Sequence, residues 1–151
     1  DGAHPESYKM FVQVSLGHAI EGKNAERIST FGMLSLLAEE KLISSTDFET
    51  GITDTLEFAS DLQVDVPNAL QYIGEIVGSF LAAKAIRLSF TCEQLEKMYD
   101  KKKESSIEVF KYAFKALAGK QGGGAATSCF NAGKVSVVNL IGEENWSNIC
   151  K

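Results

Sequence analysis

The chain has few of the residues on which catalysis and metal binding most often depend. Its 151 residues include only two histidines, His4 and His18, and three cysteines. Cys92, Cys129 and Cys150 form no CxxC pair, so the sequence indicates neither a zinc site nor a disulfide framework. No nucleophile has a histidine beside it at a recognisable spacing. We therefore expect a protein that is not an enzyme and that holds no metal and no cofactor.

The sequence also lacks a long uncharged hydrophobic run. Its most apolar window, residues 70–90, contains Glu75, Lys84 and Arg87, which makes a membrane-spanning helix a poor interpretation. The first residues, DGAHPES, are polar and do not form a signal peptide. Scattered cysteines fit a reducing compartment, so we expect a cytoplasmic protein. The chain begins with Asp rather than Met, which is typical of a fragment of a longer protein.

Positive charge is scarce as well. The net charge is −5, which argues against a nucleic-acid surface, because such a surface needs concentrated Lys and Arg. The lysines at 101–103 are interleaved with Asp100 and Glu104 and are better interpreted as a solvated loop. The run GGGAATS lacks the GxxxxGK[ST] pattern of a phosphate-binding loop.

Apolar residues are abundant, and most of them recur at steps of three and four, the period of an α-helix. The positions that we expect to face inward in the first half of the chain are Val12, Leu16, Ala19, Ile20, Ile28, Phe31, Leu34, Ala38, Leu42, Phe48, Ile52, Leu56 and Ala59. The helix after Pro67 has the widest apolar stripe, and its Gly74 and Gly78 would allow a neighbouring backbone to approach closely. The pattern predicts an all-α protein, with helices over most of residues 8–118 stacked as antiparallel hairpins in the manner of HEAT repeats.

Helix boundaries are predicted from local signals. Ser44 and Thr91 each precede an acidic or amide residue by three positions, which predicts capping boxes. Pro67 is predicted to occupy the first position of a helix, and Gly119 to end the last long helix. Residues 119–151 are predicted to be a Gly-rich joint followed by short helical segments packed on the same domain, with Trp146 anchoring the end.

The strongest charge feature is an acidic stretch with Lys41 as its only base. Its eight acidic residues are Glu39, Glu40, Asp47, Glu49, Asp54, Glu57, Asp61 and Asp65. On one continuous helix, Asp54, Glu57 and Asp61 would lie within roughly 60° of each other. Such a stripe is either a solubilising face or a docking surface for a basic partner.

The corner that follows favours docking. Asp61 is expected near the end of one helix, and Asp65 just before the next helix, where it could act as a cap. Pro67 would stiffen the turn between them. Two carboxylates held on a rigid turn lose little entropy when they bind a partner.

Three segments resemble the MA-3 domain, which is shared by initiation factor 4G, programmed cell death protein 4 and a few splicing factors. The segments are EKLIS with its following acidic-aromatic pair, LEFASDLQVDVP, and NALQYIGEIVGSFL. The resemblance is specific over about residues 28–81, and SDLQVDVP is most similar to the initiation factor 4G version.

This resemblance implies a stack of helical hairpins that binds initiation factor 4A, a DEAD-box RNA helicase, and that contacts RNA only indirectly. In the family, acidic residues of the turn engage basic residues of the helicase. By position these are Asp61 and Asp65, with Pro67 shaping the turn and with Glu57 and Asn68 as weaker candidates.

The resemblance also implies a domain over residues 8–118, although the family's first hairpin has no counterpart in this sequence. The leading hypothesis is a protein-binding scaffold module of translation initiation. The alternatives are a translation repressor of the MA-3 type that blocks the same helicase, and a helical adaptor that binds RNA directly. No membrane or small-molecule partner is expected.

Overall fold

The computed structural model describes residues 5–121 and residue 144, and within that part of the chain it contains helices and no strands. The seven helices are α1 (Pro5–Glu21), α2 (Asn24–Glu39), α3 (Ser45–Glu57), α4 (Ala59–Asp65), α5 (Ala69–Ala82), α6 (Leu88–Lys101) and α7 (Lys103–Gln121). The prediction of an all-α fold is confirmed.

One layer of the fold contains α1, α3 and α6. Near the start of α3, Glu49 contacts Arg87, which lies just before α6, and Glu57 at the end of α3 contacts Lys101 at the end of α6. The two helices therefore run in the same direction. On the other side of α3, α1 packs so closely that a Cβ added to Gly51 would lie 2.8 Å from the Val12 side chain.

The second layer contains α2, α5 and α7. Arg27 of α2 lies over the ring of Tyr72 of α5, 3.5 Å from its centre, which is a cation–π contact. Between α5 and α7, Gly74 faces Val109 and Gly78 faces Ala113 across the interface. Helices within a layer run parallel, whereas most helices that are consecutive in the chain alternate between layers and run antiparallel. The predicted HEAT-like stack of hairpins is confirmed, and so is the close approach at the two glycines.

A single apolar core lies between the layers. Phe48 of α3 and Phe80 of α5 are fully buried and meet edge to face, with ring centroids 5.1 Å apart. Ten of the 14 residues of α5 are buried, which agrees with its wide apolar stripe.

The prediction of inward-facing apolar positions is wrong for two residues. Ile28 and Leu42 are each 63% exposed, whereas the charged Arg27 is buried. The reason is that α2 lies at the end of its layer and buries only a narrow face, while Leu42 lies beyond the end of the helix. Arg27 is satisfied there because its guanidinium donates to the Gly22 carbonyl at 3.0 Å.

The predicted helix boundaries give a mixed result. Ser44 caps α3 as expected, since its Oγ accepts a hydrogen bond from the Asp47 N–H at 3.2 Å. Thr91 is not a cap but lies inside α6, where its hydroxyl donates to the Arg87 carbonyl at 3.0 Å. Pro67 lies in a turn before α5 rather than at its first position, and α7 continues past Gly119.

Two lysines adopt the left-handed backbone conformation just after a helix. Lys41 follows α2 with φ 58°, and Lys84 follows α5 with φ 60°. After α5, the Ala85 N–H donates to the Phe80 carbonyl at 2.8 Å and the Lys84 N–H donates to the Leu81 carbonyl at 3.2 Å, which is a Schellman motif. Glycine is the usual residue at this position, so a lysine there provides no local signal of a helix end.

The predicted joint and short helices of residues 119–151 lie mostly outside the described residues. Residues 119–121 belong to α7, and residue 144 is helical. The predicted short helical segments and Trp146 lie outside the described residues, and the domain boundaries at 8 and 118 stay a prediction.

Candidate functional site

The six residues predicted to bind a partner all lie on the surface, along one stretch of the chain. They are Asp54 and Glu57 at the end of α3, Asp61 and Asp65 in α4, and Pro67 and Asn68 in the turn that follows, and each is exposed. We call these six residues the acidic edge.

The acidic edge is not carried by one continuous helix, as the spacing argument assumed. Phe58 separates α3 from α4, with φ −100° and ψ 17°, and its side chain is 51% exposed. Backbone hydrogen bonds continue on both sides of the break, from the Phe58 N–H to the Asp54 carbonyl and from the Leu62 N–H to the Phe58 carbonyl, each at 3.0 Å. The rotation of 100° per residue therefore cannot be extended from Asp54 to Asp61.

The break also reverses the predicted relation of the two key carboxylates to the helix ends. Asp61 lies in the first turn of α4, where the helix dipole favours a negative charge, and Asp65 is the last residue of α4, where the dipole opposes one. Asp65 does not cap α5, because the N-cap residue is Asn68 and no side chain makes the cap hydrogen bond. The sequence prediction was wrong because it did not recognise α4 as a separate short helix.

The turn after α4 is closed by a backbone hydrogen bond. The Ala69 N–H donates to the Val66 carbonyl at 2.9 Å, which closes a four-residue turn. Pro67 is its second residue and Asn68, with φ −94° and ψ 15°, is its third, as in a type I turn. Val66 is extended, as a residue before proline should be. A fixed turn therefore follows directly after Asp65.

The structure brings to the acidic edge one base and one amide donor that the sequence interval did not contain. Lys101 of α6 lies with its Nζ 3.9 Å from Oε1 of Glu57. Gln13 of α1 donates from Nε2 to Oδ2 of Asp54 at 3.2 Å. Lys41 is therefore not the only nearby base, and two of the four carboxylates have intramolecular partners. Among the described contacts, Asp61 and Asp65 have neither an ion pair nor a side-chain hydrogen bond.

A groove of about 630 Å³ separates α4 and the end of α3 from α6. We call it the charged groove, because acidic residues line one side and three lysines with Asp100 line the other. Its lining includes Glu57, Phe58, Asp61, Lys97, Met98, Lys101 and Lys102. Ser60 of α4 also lines the groove, and its hydroxyl donates to the buried Ser105 hydroxyl of α7 at 3.0 Å, which ties α4 to α7.

A buried carboxylate helps to position α6, the helix that carries Lys97 and Lys101 of the charged groove. Glu49 is 8% exposed at its side chain and accepts hydrogen bonds from the Arg87 N–H, Nε and Nη2 at 2.8–2.9 Å. Burial alone would raise the pKa of Glu49, but the hydrogen bonds and charge of Arg87 outweigh it, so the pKa is lowered. This pair fixes the start of α6 and hence the position of its lysines. The 38 positions between the two residues explain why no local pattern indicated it.

The described part of the chain indicates neither a metal site nor a membrane-spanning helix. No group of three or more His, Cys, Asp or Glu side chains within it could hold a metal ion. None of the helices described is long and apolar enough to cross a membrane.

The comparisons with known proteins agree with this architecture. The chain is 29% identical over 79 residues to eukaryotic translation initiation factor 4 gamma 3 of Mus musculus and to that of Homo sapiens. The aligned part is 52% of this chain, and it spans only 5% of the length of those relatives. No solved structure gives a significant match. The MA3 domain family model matches residues 3–87, which is more than half of the chain. The chain therefore belongs to the MA3 domain family.

Proposed function

We propose that this domain is a protein-binding module of translation initiation that binds the DEAD-box helicase initiation factor 4A and performs no chemistry itself. Membership of the MA3 family and similarity to a translation initiation factor support the general role. A cytoplasmic location follows from that role and is part of the proposal.

The observation that carries the proposal is the pair Asp61 and Asp65. Both are exposed, both lie on α4, and they are four residues apart. Residues at this spacing on a helix have Cβ atoms about 5–6 Å apart on the same side. Two carboxylates so placed can each accept hydrogen bonds from an Arg or Lys of one partner surface. The turn at Pro67 supports them, so little conformational entropy is lost on binding.

The expected contribution of the pair is large. A hydrogen bond to a charged group contributes about 1.5–3 kcal/mol. Loss of two such contacts should weaken binding by two or more orders of magnitude, since about 1.4 kcal/mol is tenfold.

The test is the double variant Asp61→Asn with Asp65→Asn. Its affinity for purified initiation factor 4A should fall by about a hundredfold or more, while its melting temperature stays close to that of the wild type. The fold should persist because one carboxylate is favoured and the other opposed by the dipole of α4, so the two effects on stability partly cancel. A matched control is Glu39→Gln with Glu96→Gln, which removes the same charge from exposed positions elsewhere. An affinity within twofold of wild type in the folded double variant would show that the acidic edge is only a solubilising face.

The comparisons favour neither alternative function. A repressor would bind the same helicase but lower its activity, so an ATPase measurement in the presence of the domain distinguishes it from a stimulating scaffold. Direct RNA binding would appear as affinity for RNA without the helicase, and that affinity would fall steeply with salt.

A further inference from the structure

The charged groove offers more than an acidic surface to a partner. Glu57 and Asp61 lie on its α3–α4 side, and Lys97, Lys101 and Lys102 lie together with Asp100 on its α6 side. Between them, Leu56 and Met98 are buried, and Phe58 stands half exposed at the rim. The α3–α4 wall is therefore acidic, the α6 wall is net positive because three lysines outnumber Asp100, and apolar side chains lie between the two walls.

The charged side chains of the two walls are not all paired with each other. The one ion pair described across the groove joins Lys101 to Glu57 at 3.9 Å, with side chains 67% and 48% exposed. An exposed pair at that distance contributes little, about 0–1 kcal/mol, so a partner could displace it at small cost. Lys97 pairs with Glu93 on its own helix at 3.6 Å, and Lys102 is the C-cap of α6, where the dipole favours a cation. Both ammonium groups can therefore still donate hydrogen bonds to an incoming carboxylate.

A groove of this kind suits a partner that carries both charges. A purely basic segment would be attracted by Glu57 and Asp61 but repelled by the three lysines. A phosphate backbone would be attracted by the lysines but repelled by the two carboxylates. Complementary potentials across an interface give specificity and fix the register of binding. A protein segment with one basic and one acidic side chain flanking an apolar one would satisfy both walls and cover Phe58.

We propose that the charged groove binds a protein segment of this composition, with its acidic side chain toward Lys97, Lys101 and Lys102 and its apolar side chain against Phe58 and Met98. The inference rests on the proposed function, because it assigns this segment to the same helicase. It adds a basic wall to a surface that the sequence indicated only by its acidic residues.

The test is the triple variant Lys97→Gln, Lys101→Gln and Lys102→Gln, assayed for binding to purified initiation factor 4A. The control is Lys23→Gln, Lys41→Gln and Lys115→Gln, which changes the net charge equally at exposed positions outside the groove. We expect the groove variant to bind at least tenfold more weakly and the control to stay within twofold. Phe58→Ala should also bind several-fold more weakly, because it removes the apolar contact. Melting temperatures establish that each variant is folded.

Several results would overturn the inference. Unchanged binding would show that the lysines do not contact the partner, and tighter binding would show that they only screen the acidic edge. Binding of RNA by the wild type that the lysine variant loses would identify a phosphate site instead. If the Asp61 and Asp65 variant fails to bind while the lysine variant binds normally, this inference fails alone; if the wild-type domain does not bind initiation factor 4A, the proposed function fails as well.

Discussion

The interface between α5 and α7 makes a sharp prediction, because two glycines set the distance between the helices. A Cβ added to Gly78 would lie 2.7 Å from the Cβ of Ala116 and even closer to the main-chain carbonyl oxygen of Ala113. A Cβ added to Gly74 would lie 2.7 Å from the Val109 carbonyl oxygen. Main-chain atoms inside a helix cannot move aside as the end of a flexible side chain can, so alanine at either position must push the helices apart.

The magnitude follows from two opposing effects. Replacing a mid-helix glycine by alanine stabilises a helix by about 1 kcal/mol. Overpacking a core costs about 1–3 kcal/mol, and contact with a main-chain carbonyl places Gly78→Ala at the upper end of that range. The net expectation is a loss of about 2 kcal/mol in the free energy of unfolding.

Urea denaturation followed by circular dichroism measures this free energy, and the fold supplies a matched control. Gly32 is also inside a helix, but a Cβ added there would meet no atom within 4 Å. Gly32→Ala should therefore stabilise the protein by about 0.5–1 kcal/mol, opposite in sign to Gly78→Ala. If Gly78→Ala proves as stabilising as Gly32→Ala, the two helices do not approach as closely as described.

Three further predictions concern stability. Phe80→Ala should destabilise the protein by about 3–5 kcal/mol, as expected for a fully buried Phe, whereas Ile28→Ala at an exposed position should cost under about 1 kcal/mol by the same denaturation assay. Because Arg87 lowers the pKa of Glu49 below its usual 4.5, their pairing stabilises the fold above that pH and the stabilisation is lost as pH falls through the lowered pKa. Glu49→Gln should accordingly be less stable than wild type by about 1–2 kcal/mol at pH 7, with a smaller difference at pH 3; an equal difference at both pH values would refute the pairing. Lys84→Gly should stabilise by about 1 kcal/mol in thermal unfolding, since glycine adopts a positive φ without strain, and an unchanged melting temperature would contradict this.

The fold was largely predictable because its signals are local. The period of 3.6 residues located the long helices. Ser44 caps α3 by accepting a hydrogen bond from the nearby Asp47 N–H, as the spacing indicated. The wide apolar stripe around Phe80 marked the most buried helix, and Gly74 and Gly78 marked its closest contact. The helix period, the Ser44 cap and the apolar stripe are each decided by residues within a few turns of one another.

The boundaries that failed are set by distant residues. At the start of α6, the backbone N–H of Arg87 is satisfied by Glu49, so the helix begins before Thr91, the residue whose local pattern suggested a cap. Similarly, Ile28 continues the apolar period of α2 but has no neighbour to cover it in the described stack. Periodicity identifies a face that can be buried, whereas burial also needs a second element opposite it.

At the acidic edge, too, the sequence predicted the local features but not the contacts with distant residues, and those contacts bear on how a partner would bind. The sequence placed its carboxylates correctly on the surface but treated them as equivalent, because their partners Gln13 and Lys101 lie more than 40 residues away in the chain. In the fold, a basic partner that binds Asp54 or Glu57 must first displace an intramolecular contact, whereas Asp61 and Asp65 have none among the described residues. Displacing a contact subtracts its energy from the binding energy gained. Under the proposed function, Asp61 and Asp65 should therefore contribute more to affinity than Asp54 and Glu57, and we expect the centre of recognition on α4 rather than along the whole acidic stretch.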